Sequence, residues 1–294
     1  MPKIAILGAG GYVFPLRLIG DLLSFPALQG ATLALMDIDA KRLEVTAAAT
    51  RELVDHHRLP ATVLSTTDRR EALSDADYVI ITFQVGGVES FRDDVEIPRR
   101  YGVDQTVGDT IGPGGVFRFL RSVQSYAEIA GDMLDLCPDA QLINYANPMA
   151  MACWYLSSYG LKTVGLCHSV QGTSRMLARE LDVDYDTVHY RAAGINHQSW
   201  FLEFRQGKED LYPRLRQTMR EHHLASRGVS DLASDYGDHS DVDRGKSTYE
   251  GGQERVRTEI MDAFGYFHTE SSHHASEYLP YFRKNPEMVS EGPG

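Results

Sequence analysis

Cysteine is scarce in this sequence. Cys137, Cys153 and Cys167 are the only three among 294 residues, an odd and widely spaced set that makes no disulfide framework. Positive charge is also short: 29 Lys and Arg stand against 41 Asp and Glu, a formal net charge of −12. Non-specific nucleic-acid binding wants a basic face, so no nucleic-acid partner is expected. No uncharged apolar run approaches the ~20 residues that span a bilayer, and no membrane partner is expected either. Residue 4 already lies in a strand-like segment rather than in a signal peptide. No internal repeat or low-complexity tract is evident. The simplest setting is the reducing cytoplasm.

What is present is ordinary for a globular protein, 43% hydrophobic and 24% charged. The length suffices for two domains or one elaborated domain. The first stretch with chemical content is the apolar run Lys3 to Leu7, followed by Gly8-Ala9-Gly10-Gly11 and an amphipathic segment from about Phe14 to Ser24. This is the strand–turn–helix start of a dinucleotide-binding unit, in which backbone N–H groups approach a pyrophosphate. The third glycine position holds Val13, so the fingerprint is incomplete. A second apolar run, Leu33 to Met36, ends in Asp37. A carboxylate there accepts from both ribose hydroxyls and repels a 2′-phosphate, which favours NAD over NADP.

A helix from about Ala40 to His57, a strand from Thr62 to Ser65 and a short helix from Asp68 to Ser74 are expected next. Tyr78 to Phe83 reads as a buried parallel strand. It runs into Gln84-Val85-Gly86-Gly87, either a surface turn or a cofactor contact. Thr106 to Gly115 is too irregular for helix or strand and reads as a loop. Asp109, its only charge, serves either binding or an Asx turn. Leu120, Val123, Ala127, Ala130 and Leu134 recur at helical spacing as a core face. Strand Gln141 to Asn144 leads to Asn147-Pro148, where Asn147 either caps the next helix, Met149 to Tyr155, or meets a sugar hydroxyl.

Lys162 to Leu166 then delivers Cys167, and Val188 to Ile195 delivers His197. A thiolate and an imidazole from neighbouring strand ends can hold one divalent metal with open positions. His222, His223, His273 and His274 lack the spacing of a helical zinc site and read as mostly surface. The polar stretch from Arg227 to Gly252 reads as a long loop. The expected class is α/β, a Rossmann-like doubly wound parallel sheet over residues 1–187. A metal- and substrate-binding α+β region follows over 188–294.

The run from Asn144 to Cys167, with Asn147-Pro148 in its middle, resembles the signature of the NAD- and metal-dependent glycosidases of glycoside hydrolase family 4. So do Gly8-Ala9-Gly10, Met36-Asp37-Ile38-Asp39, Asp109-Thr110 to Gly115, Cys167-His168-Ser169-Val170-Gln171-Gly172, Gly194-Ile195-Asn196-His197 and Gly265 to Ser272. Together they are similar to the α-galactosidase (melibiase) branch. The resemblance implies that Cys167 and His197 ligate the metal, usually Mn2+. It implies that Asn147 contacts substrate hydroxyls, with Asp109 a candidate to join it. Gly8, Gly10, Gly11 and Asp37 would hold NAD, with Gln84 a further candidate contact. Phosphoglycosidase members carry an Asp after the metal-binding Cys, taken as the acid. Here that place is His168, which argues against a 6-phosphate substrate and leaves His168 as the candidate acid. Family members continue well past Tyr278-Leu279-Pro280-Tyr281, so the chain is expected to be C-terminally shortened. A homodimer or homotetramer is implied.

No carboxylate pair stands out for the usual two-carboxylate hydrolysis, and this family is an exception to that scheme. The implied reaction on an α-galactoside is oxidation at C3, removal of the acidified C2 proton, elimination at C1, addition of water and reduction. The base is open among Tyr278, His273 and Asp238. Cys137 and Cys153 are expected to be buried thiols without chemistry. An α-glucosidase or α-galacturonidase of the same family, a hydroxy-acid dehydrogenase, and an inactive nucleotide-binding member are the alternatives.

Overall fold

The structure, a computed structural model, describes residues 1–225 and 254–285. The expected loop from Arg227 to Gly252, Asp238 within it, and the side chain of His223 lie outside the described residues. The chain divides into two compact units. One comprises Met1–Asp94 and Pro113–Leu166, the other Val95–Gly112 and Cys167–Gly294.

The first unit is built on β1 (Lys3–Leu7), α1 (Phe14–Ser24), β2 (Thr32–Met36), α2 (Ala40–His56), β3 (Thr62–Thr66), α3 (Arg69–Leu73) and β4 (Tyr78–Ile81). It continues through the start of α4 (Gly87–Arg100), which passes into the second unit after Asp94, and through α5 (Gly112–Leu136), β5 (Gln141–Asn144), α6 (Met149–Ser157) and β6 (Lys162–Gly165). Six strands form one sheet in the order β3-β2-β1-β4-β5-β6, and every pairing is parallel. This is the doubly wound order, whose reversal point lies between β1 and β4. Alternate residues of β1 feed opposite cores, as the twofold period of a strand requires. Ile4 and Ile6 pack with Ile19, Leu33 and Leu43 on one face; Ala5 and Leu7 pack with Val79, Ile81 and Tyr126 on the other. Both faces of β1, β2 and β4 are covered, which is why these strands read as continuous apolar runs.

Three local expectations are corrected. The glycine-rich Gly112–Gly115 is the first turn of α5 and not loop. Pro113 suits a first helical turn, where its missing N–H costs nothing. The buried face of α5 carries Arg118, Ser122, Tyr126, Ile129, Ala130 and Met133; of the expected apolar stripe, Leu120 and Leu134 are exposed. Polar groups take inner positions here because they are satisfied: Ser122 Oγ donates to the Arg118 carbonyl, and Arg118 has partners described below. Finally, α4 had no counterpart in the sequence reading. Pro98 lies inside it, which argues against a helical assignment.

The second unit holds α7 (Ser169–Glu180), β7 (Val188–Ile195), β8 (Gln198–Gln206), β9 (Glu209–Asp210), α8 (Tyr212–Ala225), α9 (Arg255–Phe264), β10 (Phe267–His268) and α10 (Ser272–Tyr278). Its sheet runs β10-β8-β7, with β9 on β8, all antiparallel. Phe201, Phe204, Leu211, Leu215, Met261 and Phe267 pack with Met176 and Leu177 as its core. The β7–β8 turn is Asn196-His197 between the paired residues Ile195 and Gln198. His197 stands at φ 61°, in the left-handed region that a side chain enters at a cost. Gly194, at φ 142°, has no room for a Cβ: one would sit 2.3 Å from the Gln198 carbonyl oxygen. Among the described residues no helix is long and apolar enough to cross a membrane.

Candidate active site

In the first unit the glycine turn closes on the end of β2. The N–H groups of Gly8 and Ala9 both donate to the Met36 carbonyl at 2.9 Å, and Gly11 N–H donates to the Gly8 carbonyl at 3.1 Å. Gly10 N–H donates to Asp37 Oδ2 at 2.8 Å, and Asp39 N–H donates to Asp37 Oδ1 at 2.9 Å. The turn therefore satisfies its own four N–H groups. Asp37 is a strut of the turn, and each carboxylate oxygen keeps lone-pair capacity beyond its one bond. Gly8, at φ 92°, lies so close to the segment after β4 that a Cβ would meet Phe83 N at 2.7 Å. Donors for an anion are found one step later. Val13 caps α1 without a side-chain hydrogen bond, which leaves the first-turn N–H groups of that helix for a phosphate.

Buried Arg118 ties the ends of two other strands together. Its Nε donates to the Asn147 carbonyl at 3.1 Å, and its Nη2 to Gln84 Oε1 at 3.1 Å. Gln84 in turn donates from Nε2 to the Gly87 carbonyl at 2.9 Å. Gln84 and Asn147 thus stand at the C-terminal ends of β4 and β5, where doubly wound sheets take their ligands. The Asn147-Pro148 peptide is cis.

The second unit brings Cys167 and His197 together. They do not come from neighbouring strands of one sheet: Cys167 follows β6, and His197 occupies the β7–β8 turn. Cys167 Sγ lies 3.4 Å from His197 Nε2 and 3.3 Å from Ser169 Oγ. Glu270, between β10 and α10, adds Oε2 at 3.4 Å from the same Nε2. The donor atoms of Cys167, His197 and Glu270 all lie within 4.8 Å of one another. Metal–ligand bonds of roughly 2.0–2.3 Å separate neighbouring donors by about 3–4 Å, so this trio can close on one ion. Thiolate, imidazole and carboxylate suit a borderline divalent metal. A second group, Asp109, His197 and His274, meets the same distance criterion. His168 belongs to neither group; it stands exposed at the N-cap of α7.

One hydrogen settles the tautomer of His197. The Thr110 hydroxyl donates to Asp109 Oδ1 at 2.5 Å, and its oxygen lies 3.0 Å from His197 Nδ1. Having spent its only hydrogen, Thr110 accepts from Nδ1–H, so whenever the ring is neutral its lone pair is at Nε2, facing Cys167 and Glu270. Around this relay α10 supplies three side chains. Tyr278 O–H donates to Asp109 Oδ1 at 3.4 Å, and His274 Nδ1 lies 3.1 Å from both Tyr278 Oη and Glu277 Oε1. The Glu277 carboxyl is fully buried. Its Oε2 accepts from the N–H groups of Val107 and Gly108 at 2.9 and 3.1 Å and from Thr106 Oγ1 at 3.3 Å. It orders the loop that presents Asp109.

Charge in this cluster is shared tightly. Burial pushes the Cys167 thiol up, but the His197 hydrogen bond and charge outweigh it, and the thiol ends below its ordinary range. Burial likewise opposes protonation of His197; Cys167 and Glu270 overcome it and raise that imidazole. Glu270, despite a burial penalty, is held at about 2 by His197 and His274. Burial, then Glu277 and Asp109, pushes the Tyr278 phenol far above its ordinary range. Cys137 and Cys153 are free thiols pushed up by burial.

Four members of this cluster escaped the sequence reading: Thr110, Glu270 and Glu277 were not singled out, and His274 was read as surface. His274 is instead half-buried, its ring centroid 4.5 Å from that of His197. The Glu270 signal was present within the Gly265 to Ser272 motif but carried no local spacing to Cys167.

Residues 3–183 match the family 4 glycosyl hydrolases, and residues 192–292 match the family 4 glycosyl hydrolase C-terminal domain. The chain belongs to glycosyl hydrolase family 4. Within the family, the alpha-galactosidase of Bacillus subtilis (strain 168) is 41% identical over 295 residues, 99% of this chain and 62% of that protein. The alpha-galactosidase of Rhizobium meliloti (strain 1021) is 37% identical over 290 residues, 98% of this chain and 54% of that protein. This family 4 chain thus spans between half and two thirds of the length of these relatives. A solved structure of a 6-phospho-alpha-glucosidase from gut microorganisms, in complex with NAD and Mn2+, is 25% identical with a TM-score of 0.74. It covers 96% of this chain and 61% of that one.

Proposed function

We propose that this chain carries the nucleotide- and metal-binding machinery of an α-galactosidase working with NAD and a divalent cation, Mn2+ first among them. The convergence of Cys167, His197 and Glu270 in one unit, in a chain whose other unit is a doubly wound sheet, carries this reading. It is supported by the two alpha-galactosidases at 41% and 37% identity and by the NAD and Mn2+ of the related 6-phospho-alpha-glucosidase. The residue after Cys167 is His168, which favours a sugar without a 6-phosphate.

When bound, the nicotinamide would supply a hydride acceptor and donor for a sugar carbon, and the cation would supply Lewis-acid charge. The chain's own groups do the rest. Gly8 lets the backbone come close, Gly10 and Gly11 shape the turn, and Asp37 presents lone pairs to a ribose. Gln84 and Asn147 offer amides at the strand ends, Gln84 toward the cofactor and Asn147 toward sugar hydroxyls. Cys167 and His197 hold the cation, with the Thr110 relay keeping the His197 lone pair at Nε2. Asp109 Oδ1 and Tyr278 Oη share a proton, a place where one can be held or passed on. His168 is the candidate donor to the leaving group, because an imidazole moves protons near neutral pH.

The test is a turnover assay on the full chain with NAD+, Mn2+ and a thiol reductant in D2O. Aryl α-galactoside, α-glucoside and α-galacturonide are the substrates. Release from the galactoside with deuterium at C2 of the sugar is expected. Preference for either of the other two glycosides would move the specificity within the family. Hydrolysis that persists without NAD+ and metal, with no exchange at C2, would overturn the mechanism.

A further inference from the structure

Glu270 offers its carboxylate on the side of the His197 ring that a metal would occupy. A carboxylate that only orients a ligating imidazole sits on the nitrogen away from the metal. In this cluster that far nitrogen, Nδ1, already has its partner in Thr110 Oγ1 at 3.0 Å. Glu270 Oε2 instead lies 3.4 Å from Nε2, the nitrogen that also faces Cys167 Sγ at 3.4 Å. The carboxyl is buried. Its other oxygen, Oε1, accepts from Ser271 N–H at 2.9 Å, and the Ser169 side chain, itself 3.3 Å from Cys167 Sγ, also hydrogen-bonds the carboxylate, so the group is held against the pair. Among the described residues its only ion-pair partner is His197. A buried carboxylate whose charged neighbours are imidazoles, as His197 and His274 are here, gains further when a divalent cation sits against it.

We infer that Glu270 is a third protein ligand, so that the divalent cation sits in a Cys167–His197–Glu270 set with its remaining positions open to the sugar. This rests on the metal-dependent reading above and deepens it. A thiolate and a carboxylate together leave a divalent ion formally neutral before substrate arrives. The ion then holds neutral sugar hydroxyls without a surplus charge to attract adventitious anions.

The test is metal binding by the full chain, free of substrate and nucleotide. Mn2+ affinity by calorimetry and the Co2+ absorption spectrum are compared for the wild type, Cys167→Ser and Glu270→Gln. The expectation is that Glu270→Gln, like Cys167→Ser, loses on the order of a hundredfold or more in Mn2+ affinity. Its Co2+ spectrum should keep the sulfur-to-metal band while the ligand-field bands change. Wild-type affinity and an unaltered Co2+ spectrum in Glu270→Gln, with Cys167→Ser impaired, would overturn the Glu270 assignment alone. Wild-type affinity in Cys167→Ser would overturn the whole metal centre and Glu270 with it. If Glu270→Gln does not fold, anomalous diffraction from the Mn2+-loaded wild type decides. A Glu270 oxygen at roughly 2.0–2.3 Å from the ion supports the assignment, and one beyond bonding distance overturns it.

Discussion

His197 concentrates several demands on one side chain. It occupies a left-handed backbone position, is buried, and is bonded at both ring nitrogens. Because Cys167 and Glu270 raise its proton affinity, protons compete with a metal at Nε2 up to a higher pH than for an ordinary imidazole. Mn2+ affinity is therefore expected to fall as pH drops through neutrality, with protons released on binding, measurable by calorimetry in buffers of different ionisation heat. Thr110→Val removes the acceptor for Nδ1–H. It should cost roughly 10–100-fold in Mn2+ affinity with the fold kept.

A different histidine governs acid stability. His268 is buried, and burial first, then Arg257, pulls it from 6.5 down to about 4. Below pH 6.5 the unfolded chain takes up a proton that the folded one refuses. This contribution is thus complete above 6.5 and is lost as pH falls toward 4, by ~3 kcal/mol if fully expressed. His268→Gln keeps a partner for Gln198 Oε1, now 2.9 Å from His268 Nε2. Urea titrations between pH 7 and pH 4 should show a flatter decline for the variant.

At the level of the elements, two glycines decide whether side chains reach their places. At Gly194 an added Cβ would collide with backbone atoms that cannot yield like a flexible side chain, Gln198 O at 2.3 Å and Ser199 Cα at 2.5 Å. Gly194→Ala is expected to displace the β7–β8 turn, lowering Mn2+ affinity while NAD+ affinity is kept. Gly8→Ala should do the reverse, because its Cβ would drive into the segment just after β4 at Phe83 N. Calorimetric titration of each variant with both ligands separates the two effects. The same level explains which elements the sequence made legible. Strands β1, β2 and β4 stood out because both their faces are covered and their runs are apolar. The face of α5 did not, since Arg118 and Ser122 lie inside through hydrogen bonds that no apolar period reveals.

For the molecule as a whole, the proposed function expects the two units to answer to different ligands. NAD+ is expected to slow amide exchange in Gly8–Gly11 and the start of α1. Mn2+ is expected to slow it around Thr110, Cys167, His197 and Glu270. Protection of only one of these sets by both ligands would count against that division of labour.

Local pattern was enough to read the doubly wound sheet, the glycine turn with Asp37, and Cys167 and His197 as the pair worth joining. Each of these is written in a period, a run or a motif within a few dozen residues. Long-range folding alone selected the rest. Glu277 reaches the Val107 and Gly108 amides from about 170 positions away, and Glu270 meets His197 from the far side of α9. His274 left the surface because α10 packs where Asp109 and His197 already stand. A side chain becomes a ligand, a strut or a bystander according to which partners surround it in a dry, crowded space. Spacing along the chain does not carry that information.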